Sequence, residues 1–81
     1  MSQKADFAMK QIAIRDEFIK LGQALKLAGI AQSGVDAKYM IEEGKVTVNG
    51  EPESRRGRKL YDGDLVEADG VSFTVSSPMK N

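Results

Sequence analysis

The segment SGVDAKYMIEEGKVTVNG, running from Ser33 to Gly50, carries more structural information than any other part of the chain. Ser33 can accept a hydrogen bond from the backbone amide of Asp36, and the carboxylate of Asp36 can in turn accept one from the backbone amide of Ser33. This capping box predicts the start of a helix. Gly44 predicts the end of that helix, since glycine adopts the left-handed stop conformation without a steric penalty. Asn-Gly at 49–50 tolerates positive φ at both central positions of a turn. The segment therefore predicts a capped helix, a glycine stop, one strand and a tight hairpin turn.

Another helix and a strand are predicted upstream of this segment. The helix follows from one apolar stripe at positions i, i+3, i+4 and i+7, formed by Leu21, Ala24, Leu25 and Ala28. Its opposite side is polar and reaches outward, with Lys20, Gln23 and Lys26. Gly29 is the expected stop residue of this helix. Residues 10–14 alternate in polarity and predict a short strand, which Phe18 and Ile19 either extend or follow as the entry to the helix.

Downstream of the Asn-Gly turn the chain predicts short strands joined by turns. Pro52 lacks an amide donor, so the second arm of the first hairpin is expected to be short or to lie at a sheet edge. Residues 55–59 are expected to form a basic loop, and residues 61–64 a further turn. A second hairpin is predicted at 65–75, where Asp69-Gly70 joins two strands. The predicted fold class is α+β, a two-helix corner packed on a small, mostly antiparallel β-sheet.

Helical spacing also predicts which side chains are buried. The helix that begins at Ser33 is expected to bury one face, formed by Ala37, Met40 and Ile41. Tyr39 lies four residues after Val35 and is predicted to be half-buried beside that face. Phe18 and Phe73 are predicted to lie in the core, which leaves the sheet without an aromatic platform for stacking bases.

Length and composition predict one small domain at 10–76, with flexible tails at 1–9 and 77–81. A chain of 81 residues buries only about 60% of its unfolded surface, so its core is modest. The absence of cysteine and histidine removes disulfides, thiolate metal ligands and the usual general base, so we expect a non-catalytic protein without metal or cofactor. The first residues are polar, and no apolar run reaches the ~20 residues of a membrane helix. These features predict a cytoplasmic protein with no membrane partner.

The charges are balanced in total but uneven along the chain, which has 12 cationic and 12 anionic side chains. From Lys20 to Lys59 there are eight cations and five anions, whereas beyond Leu60 there are four anions and one cation. Four of the cations lie within five residues: Arg55, Arg56, Arg58 and Lys59. A neutral total can therefore hide a dipolar surface, and the local sign of charge matters more than the sum for a polyanion. The basic loop favours phosphate binding because guanidinium groups bind phosphate oxygens in bidentate fashion.

Four motifs follow one another in a recognisable order: LGQALKLAG at 21–29, SGxxAK at 33–38, GxVxVNG at 44–50 and DGDLV at 62–66. Together they resemble the S-four RNA-binding domain, which is named for ribosomal small-subunit protein four. The run GEPESRRGRKL at 50–60 narrows the resemblance to the small stand-alone bacterial members of the YaaA/YbcJ type. The similarity covers roughly residues 10–76, most of the chain.

This resemblance implies a monomeric module that binds structured RNA, ribosomal or transfer RNA, through a basic patch on the helical corner (the alpha-L motif) and the Arg-rich loop. Partners on the ribosome or among assembly proteins are also implied. The RNA-contacting residues implied by position are Gln23, Lys26, Ser33, Lys38, Lys45, Asn49, Arg55, Arg56, Arg58 and Lys59. Many family members have arginine at the positions of Gly34 and Lys38, so the loop is expected to carry more of the affinity here. Reversal of Arg55, Arg56 and Arg58 to Glu is predicted to abolish binding without unfolding.

Other interpretations remain open at this point. Ser33 and Asn49 have structural roles first, as a helix cap and a turn residue. The zero net charge keeps a protein-interaction adaptor in ribosome assembly or regulation as the alternative function. DNA binding by the corner is disfavoured because its second helix offers only Lys38 and Tyr39 as base readers. The acidic residues after position 61 lack the spacing of a calcium loop and are interpreted as a solvated turn.

Overall fold

The computed structural model describes residues 9–79, which form two helices and seven strands. The helices are α1 (Leu21–Leu27) and α2 (Gly34–Glu42). The strands are β1 (Met9–Ala13), β2 (Phe18–Lys20), β3 (Val46–Val48), β4 (Glu51–Pro52), β5 (Lys59–Tyr61), β6 (Leu65–Ala68) and β7 (Val71–Ser76). The expected N-terminal tail, residues 1–9, lies outside the described residues except for its last position. That residue, Met9, belongs to β1 and pairs with Ser72 of β7, so the expectation of a flexible tail is corrected at this position.

The strands form a five-stranded sheet in the order β1-β7-β6-β3-β4 and a separate pair, β2-β5. Every pairing is antiparallel except that of β1 with β7. The predicted α+β class with a mostly antiparallel sheet is confirmed. Of the two interpretations left open for Phe18 and Ile19, neither describes the observed strand fully: β2 is a separate strand that pairs with β5 and then leads directly into α1.

The helix signals are confirmed with one difference in detail. The hydroxyl of Ser33 accepts from the amide of Asp36 at 3.2 Å, as predicted. The carboxylate of Asp36 accepts from the amide of Gln32 at 3.3 Å, one residue before the cap. Both predicted stop glycines have positive φ, 81° at Gly29 and 78° at Gly44. The α1–α2 corner is therefore fixed by local backbone chemistry.

The hairpin signals are confirmed as well. Asn49 and Gly50 have φ of 53° and 87°, the two positive values that a tight turn of this type needs. Strand β4 is two residues long, contains Pro52 and lies at the edge of the five-stranded sheet. A proline is tolerated at an edge because no ladder hydrogen bond is lost there.

The core lies between the helices and one face of the large sheet. Its largest fully buried side chains include Phe73, Leu21, Leu25, Ile41 and Leu60. Burial of such side chains contributes about 1.5–3 kcal/mol each relative to exposure. This cluster holds the helical corner and strand β5, and through β5 the basic loop, in one rigid unit.

Two burial predictions are wrong. Tyr39, predicted to be half-buried, is 57% exposed, and Val35 on the same face is 60% exposed, because the fully buried residues of α2, Ala37 and Ile41, lie on the opposite side of the helix. Phe18 is outside the core cluster and is only half-buried. Its ring lies against that of Tyr61 on the paired strand, with centroids 5.8 Å apart.

The predicted C-terminal tail also needs correction at its first residue. Ser77 is buried, and its hydroxyl donates to the carbonyl of Asp16 at 2.6 Å. Its amide donates to the carboxylate of Asp62 at 2.8 Å. The parallel pairing of β7 with β1 brings Ser77 to the connection that follows β1, where these partners are available.

Candidate nucleic-acid interface

The arginine loop, residues 53–58, is attached to the start of α1 through main-chain hydrogen bonds. The amide of Leu21 donates to the carbonyl of Arg58 at 2.8 Å, and the amide of Gly22 donates to the carbonyl of Arg56 at 3.0 Å. Helix α1 has no side-chain cap, so these carbonyls satisfy donors that a helix start otherwise leaves free. The loop is therefore positioned by the helix, and its side chains extend from a fixed backbone.

Gly22 allows the loop to lie close to α1. A Cβ atom at this position would lie 2.7 Å from Cγ of Arg56, closer than non-bonded carbon atoms approach one another. The side chain of Arg56 thus crosses the first turn of the helix in the space that a larger residue at position 22 would fill. This contact brings a guanidinium-bearing side chain into the same groove as Lys20 and Lys26.

A groove of about 360 Å³ lies where α1, the start of α2 and the arginine loop meet; we call it the corner groove. Its polar lining is formed by Lys20, Gln23, Lys26 and Arg56, and Gly34 and Ala37 of α2 complete the wall. None of the three cations forms an ion pair within residues 9–79, and no acidic residue lines the groove. The groove is therefore a site of local positive charge on a chain whose total charge is zero.

A second groove of about 390 Å³, the arginine groove, is lined by Arg55, Gly57, Arg58 and Lys59. Gly57 lines both grooves, so the two are contiguous. The ammonium of Lys59 lies 4.8 Å from the centroid of the Phe18 ring, which holds it by a cation–π contact. The cationic side chains of the corner and of the loop thus border one continuous surface.

Glu53 is the first residue of the arginine loop, and its buried carboxylate binds two guanidinium groups of the same loop. One carboxylate oxygen accepts from Nε of Arg55 at 3.0 Å, and the other from Nη2 of Arg55 at 3.2 Å and Nη1 of Arg58 at 2.9 Å. The backbone amide of Arg55 donates to it as well, at 3.0 Å. The side-chain hydrogen bonds from Arg55, and to a smaller extent the one from Arg58, lower the pKa of Glu53 to about 2. The same pairing raises the pKa of Arg55. One anion therefore offsets part of the positive charge of the loop.

The structure places the ten sequence-predicted site residues in three groups. Six of them border the two grooves: Gln23, Lys26, Arg55, Arg56, Arg58 and Lys59. Lys38 is exposed on α2 beside this surface but lines neither groove. The remaining three have partners within the fold, since the Ser33 hydroxyl caps α2, Lys45 pairs with Glu43 at 3.3 Å, and Asn49 bonds to the turn at 61–65.

Five groove residues were not among the predicted contacts: Lys20, Gly22, Gly34, Ala37 and Gly57. Lys20 had a signal in the sequence, because Lys20, Gln23 and Lys26 recur every three residues on the outward side of α1. Gly22 had none, since its role is to leave space for the side chain of Arg56, a residue that is distant in sequence.

Within residues 9–79, no group of three or more acidic side chains is arranged to hold a metal ion. The same part of the chain contains no helix with the length and apolar character needed to cross a membrane.

Comparison with known proteins places the fold in a family. The chain belongs to the S4 domain family, whose model matches residues 12–76. A Bacillus subtilis protein, named as the probable ribosome maturation protein RlbA, is 58% identical over 65 residues, or 79% of this chain and 92% of the relative. Escherichia coli YbcJ is 40% identical over 57 residues, or 70% of this chain and 81% of YbcJ.

The solution structure of Escherichia coli YbcJ is similar to this structure over most of the chain. It matches with a TM-score of 0.65 and 32% identity, and the match covers 94% of this chain and 95% of that one. The YbcJ structure was reported to contain an alpha-L motif involved in RNA binding. The family and the fold class predicted from the sequence are therefore confirmed.

Proposed function

We propose that this protein is a non-catalytic RNA-binding module that holds folded ribosomal RNA along the corner groove and the arginine groove. The observation that carries the proposal is the convergence of Lys20, Lys26 and Arg56 on one groove without an acidic neighbour in its wall. The name of the Bacillus subtilis relative supports a role at the ribosome, and the motif reported for YbcJ supports RNA as the ligand. A ribosomal ligand also supports a cytoplasmic location, and the module is proposed to act as a monomer.

The geometry favours recognition of the RNA backbone. The large sheet presents no exposed aromatic ring among residues 9–79 on which bases could stack, so the available contacts are cationic and polar. A-form RNA hides its base edges in a deep major groove and displays phosphates and 2′-hydroxyls at its surface. Lys20, Lys26 and Arg56 suit the phosphates, and the amide of Gln23 suits a hydroxyl.

The test is a salt titration of binding to transcribed ribosomal RNA, followed by fluorescence anisotropy. We expect the double variant Lys26→Ala, Arg56→Ala to bind more weakly at every salt concentration. The slope of log affinity against log salt should fall by about 0.7–0.9 for each phosphate that the variant no longer neutralises. Thermal unfolding should be unchanged, because neither side chain has an ion-pair partner within residues 9–79.

The matched control is Arg15→Ala, which removes one positive charge from an exposed residue that lines neither groove. Its salt slope should equal that of the wild-type protein. The single variant Arg56→Ala, which also removes one positive charge, is measured beside it. If Arg15→Ala weakens binding as much as Arg56→Ala does, the affinity comes from total charge, and the groove has no special role.

A protein-interaction adaptor in ribosome assembly is the second candidate function, and the exposure of Val35 and Tyr39 on the outer face of α2 favours it. In that case the double variant Val35→Ser, Tyr39→Ser would lose co-sedimentation with ribosomal subunits and retain affinity for naked ribosomal RNA. Equal co-sedimentation of variant and wild-type protein would reject the adaptor function for this face.

A further inference from the structure

Glu53 has an unexpected position for an acidic residue in a surface that binds a polyanion. It is 7% exposed, and it is the only charged residue that is buried among residues 9–79. Its negative charge lies within 3.2 Å of two guanidinium groups that border the arginine groove. A carboxylate at this point weakens the attraction of the loop for any phosphate. Charge alone therefore gives no reason for an acid here.

The hydrogen bonds of Glu53 do provide a reason. Arg55 is held by a two-point fork, Nε to one oxygen and Nη2 to the other, and Arg58 is held by Nη1. A guanidinium has five N–H donors, so Arg55 keeps three and Arg58 keeps four that Glu53 does not use. Two long side chains that would otherwise rotate freely thus present their remaining donors in a fixed arrangement.

We propose that Glu53 is a positioning residue that makes the arginine loop selective for folded RNA over unstructured polyanions. This inference rests on the proposed function and adds a determinant of its specificity. A ligand of fixed shape gains from donors that are already in place, because less side-chain freedom is lost on binding. A flexible strand adapts to donors in any arrangement, so it gains little from their order and is disfavoured by the negative charge of Glu53.

Removal of the negative charge of Glu53 is therefore expected to lower the affinity for folded RNA and to raise the affinity for a flexible strand, which makes the inference testable. Glu53→Gln removes one negative charge and weakens the hold on Arg55 and Arg58. We expect its affinity for transcribed ribosomal RNA to fall by about threefold or more as the arginines lose their order. Its affinity for poly(U), a single strand without stable structure, should rise by about two- to threefold as the net charge increases.

Glu51→Gln is the matched control, since it makes the same change of charge two residues earlier. Glu51 is exposed on β4, and its carboxylate forms no ion pair within residues 9–79. We expect this variant to raise the affinity for both RNAs slightly and equally. Thermal unfolding, monitored by circular dichroism, establishes that each variant is folded at the temperature of the binding measurement.

A second variant keeps the test decisive if Glu53→Gln does not fold. Arg55→Lys preserves the charge but removes the two-point fork, so affinity for ribosomal RNA should fall while that for poly(U) is unchanged. If Glu53→Gln behaves as Glu51→Gln does, or if Arg55→Lys binds both RNAs as the wild-type protein does, Glu53 does not set selectivity. Absence of binding by the wild-type protein to ribosomal RNA would instead overturn the proposed function, and this inference with it.

Discussion

The arginine loop and the aspartate turn, which we define as residues 61–65, are close in sequence and both are rich in charged side chains. In the aspartate turn the charged groups are used by the protein itself. The carboxylate of Asp64 accepts from the amide of Tyr61 at 2.7 Å and from Nδ2 of Asn49 at 3.1 Å. Asn49 in turn accepts from the amide of Leu65 at 2.9 Å. Each side chain thus closes a bond that holds the backbone in place.

The arginine loop differs because its donors outnumber its acceptors. One carboxylate, that of Glu53, serves two guanidinium groups, and Arg56 has no ion-pair partner within residues 9–79. Donors left over by the fold are available to an anionic ligand, whereas the acceptors of the aspartate turn are already used. We propose that the balance between donors and acceptors within each loop, rather than its charge content, distinguishes a loop that binds a ligand from one that only holds the fold together.

The largest effect is expected when both counter-ions of Glu53 are removed. The triple variant Arg55→Glu, Arg56→Glu, Arg58→Glu leaves a buried carboxylate among new negative charges, which costs about 3–5 kcal/mol. We expect its melting temperature to fall by at least about 12 °C for a domain of this size. The sequence-based expectation that this variant keeps its fold therefore changes, because the structure pairs two of the three arginines with Glu53.

The control for this prediction is Arg56→Glu alone. Arg56 has no ion-pair partner within residues 9–79, so its reversal should change stability by no more than about 0.5 kcal/mol. Circular dichroism melts of the two variants compare them directly. Equal melting temperatures would show that Glu53 does not depend on its arginines, and the contrast between the two loops would lose its basis.

A smaller loss of stability, without loss of binding, is expected in the aspartate turn. Asn49→Ala removes two side-chain hydrogen bonds and leaves at a φ of 53° a residue that tolerates the left-handed region less well than asparagine, which together cost about 2–3 kcal/mol. Chemical denaturation measures this change. Asn49→Gly removes the same bonds but tolerates positive φ, so it should recover part of the loss.

Binding to ribosomal RNA tests the same residue as a candidate contact. Because both polar groups of the Asn49 side chain are occupied within the fold, the folded Asn49→Ala variant should bind within about twofold of the wild-type protein. A larger decrease, measured well below the melting temperature, would assign Asn49 to the RNA-binding surface and weaken the distinction between the two loops.

The sequence predicts those features that depend on neighbouring residues. The cap of α2 at Ser33 and the Asn-Gly turn follow from chemistry within a few positions, and both are observed. The role of Glu53 could not be predicted, because Glu51 and Glu53 flank the same proline and only the packing of the loop buries one of them. The burial of Ser77 depends on partners that are 15 and 61 residues away.

Acid titration provides the smallest and most specific test of the pairing in the arginine loop. Glu53 has a pKa of about 2 in the folded protein against an ordinary value of 4.5, so its pairing stabilises the fold fully above pH 4.5. That contribution decreases as the pH falls from about 4.5 towards 2, because the unfolded chain then takes up a proton that the folded protein does not. The pairing contributes about 2 kcal/mol to the free energy of unfolding. This is less than the full difference between the two pKa values implies, because the side chain of Arg55 is 73% exposed and water screens the interaction. The Glu53→Gln variant has no titratable group at position 53. The difference in unfolding free energy between the wild-type protein and this variant should therefore shrink as the pH falls from about 4.5 towards 2, and it should be constant above pH 4.5. A difference that is independent of pH between 2 and 4.5 would mean that Glu53 is not held as an ion pair, and the arginine loop would then resemble any solvated cluster of charges.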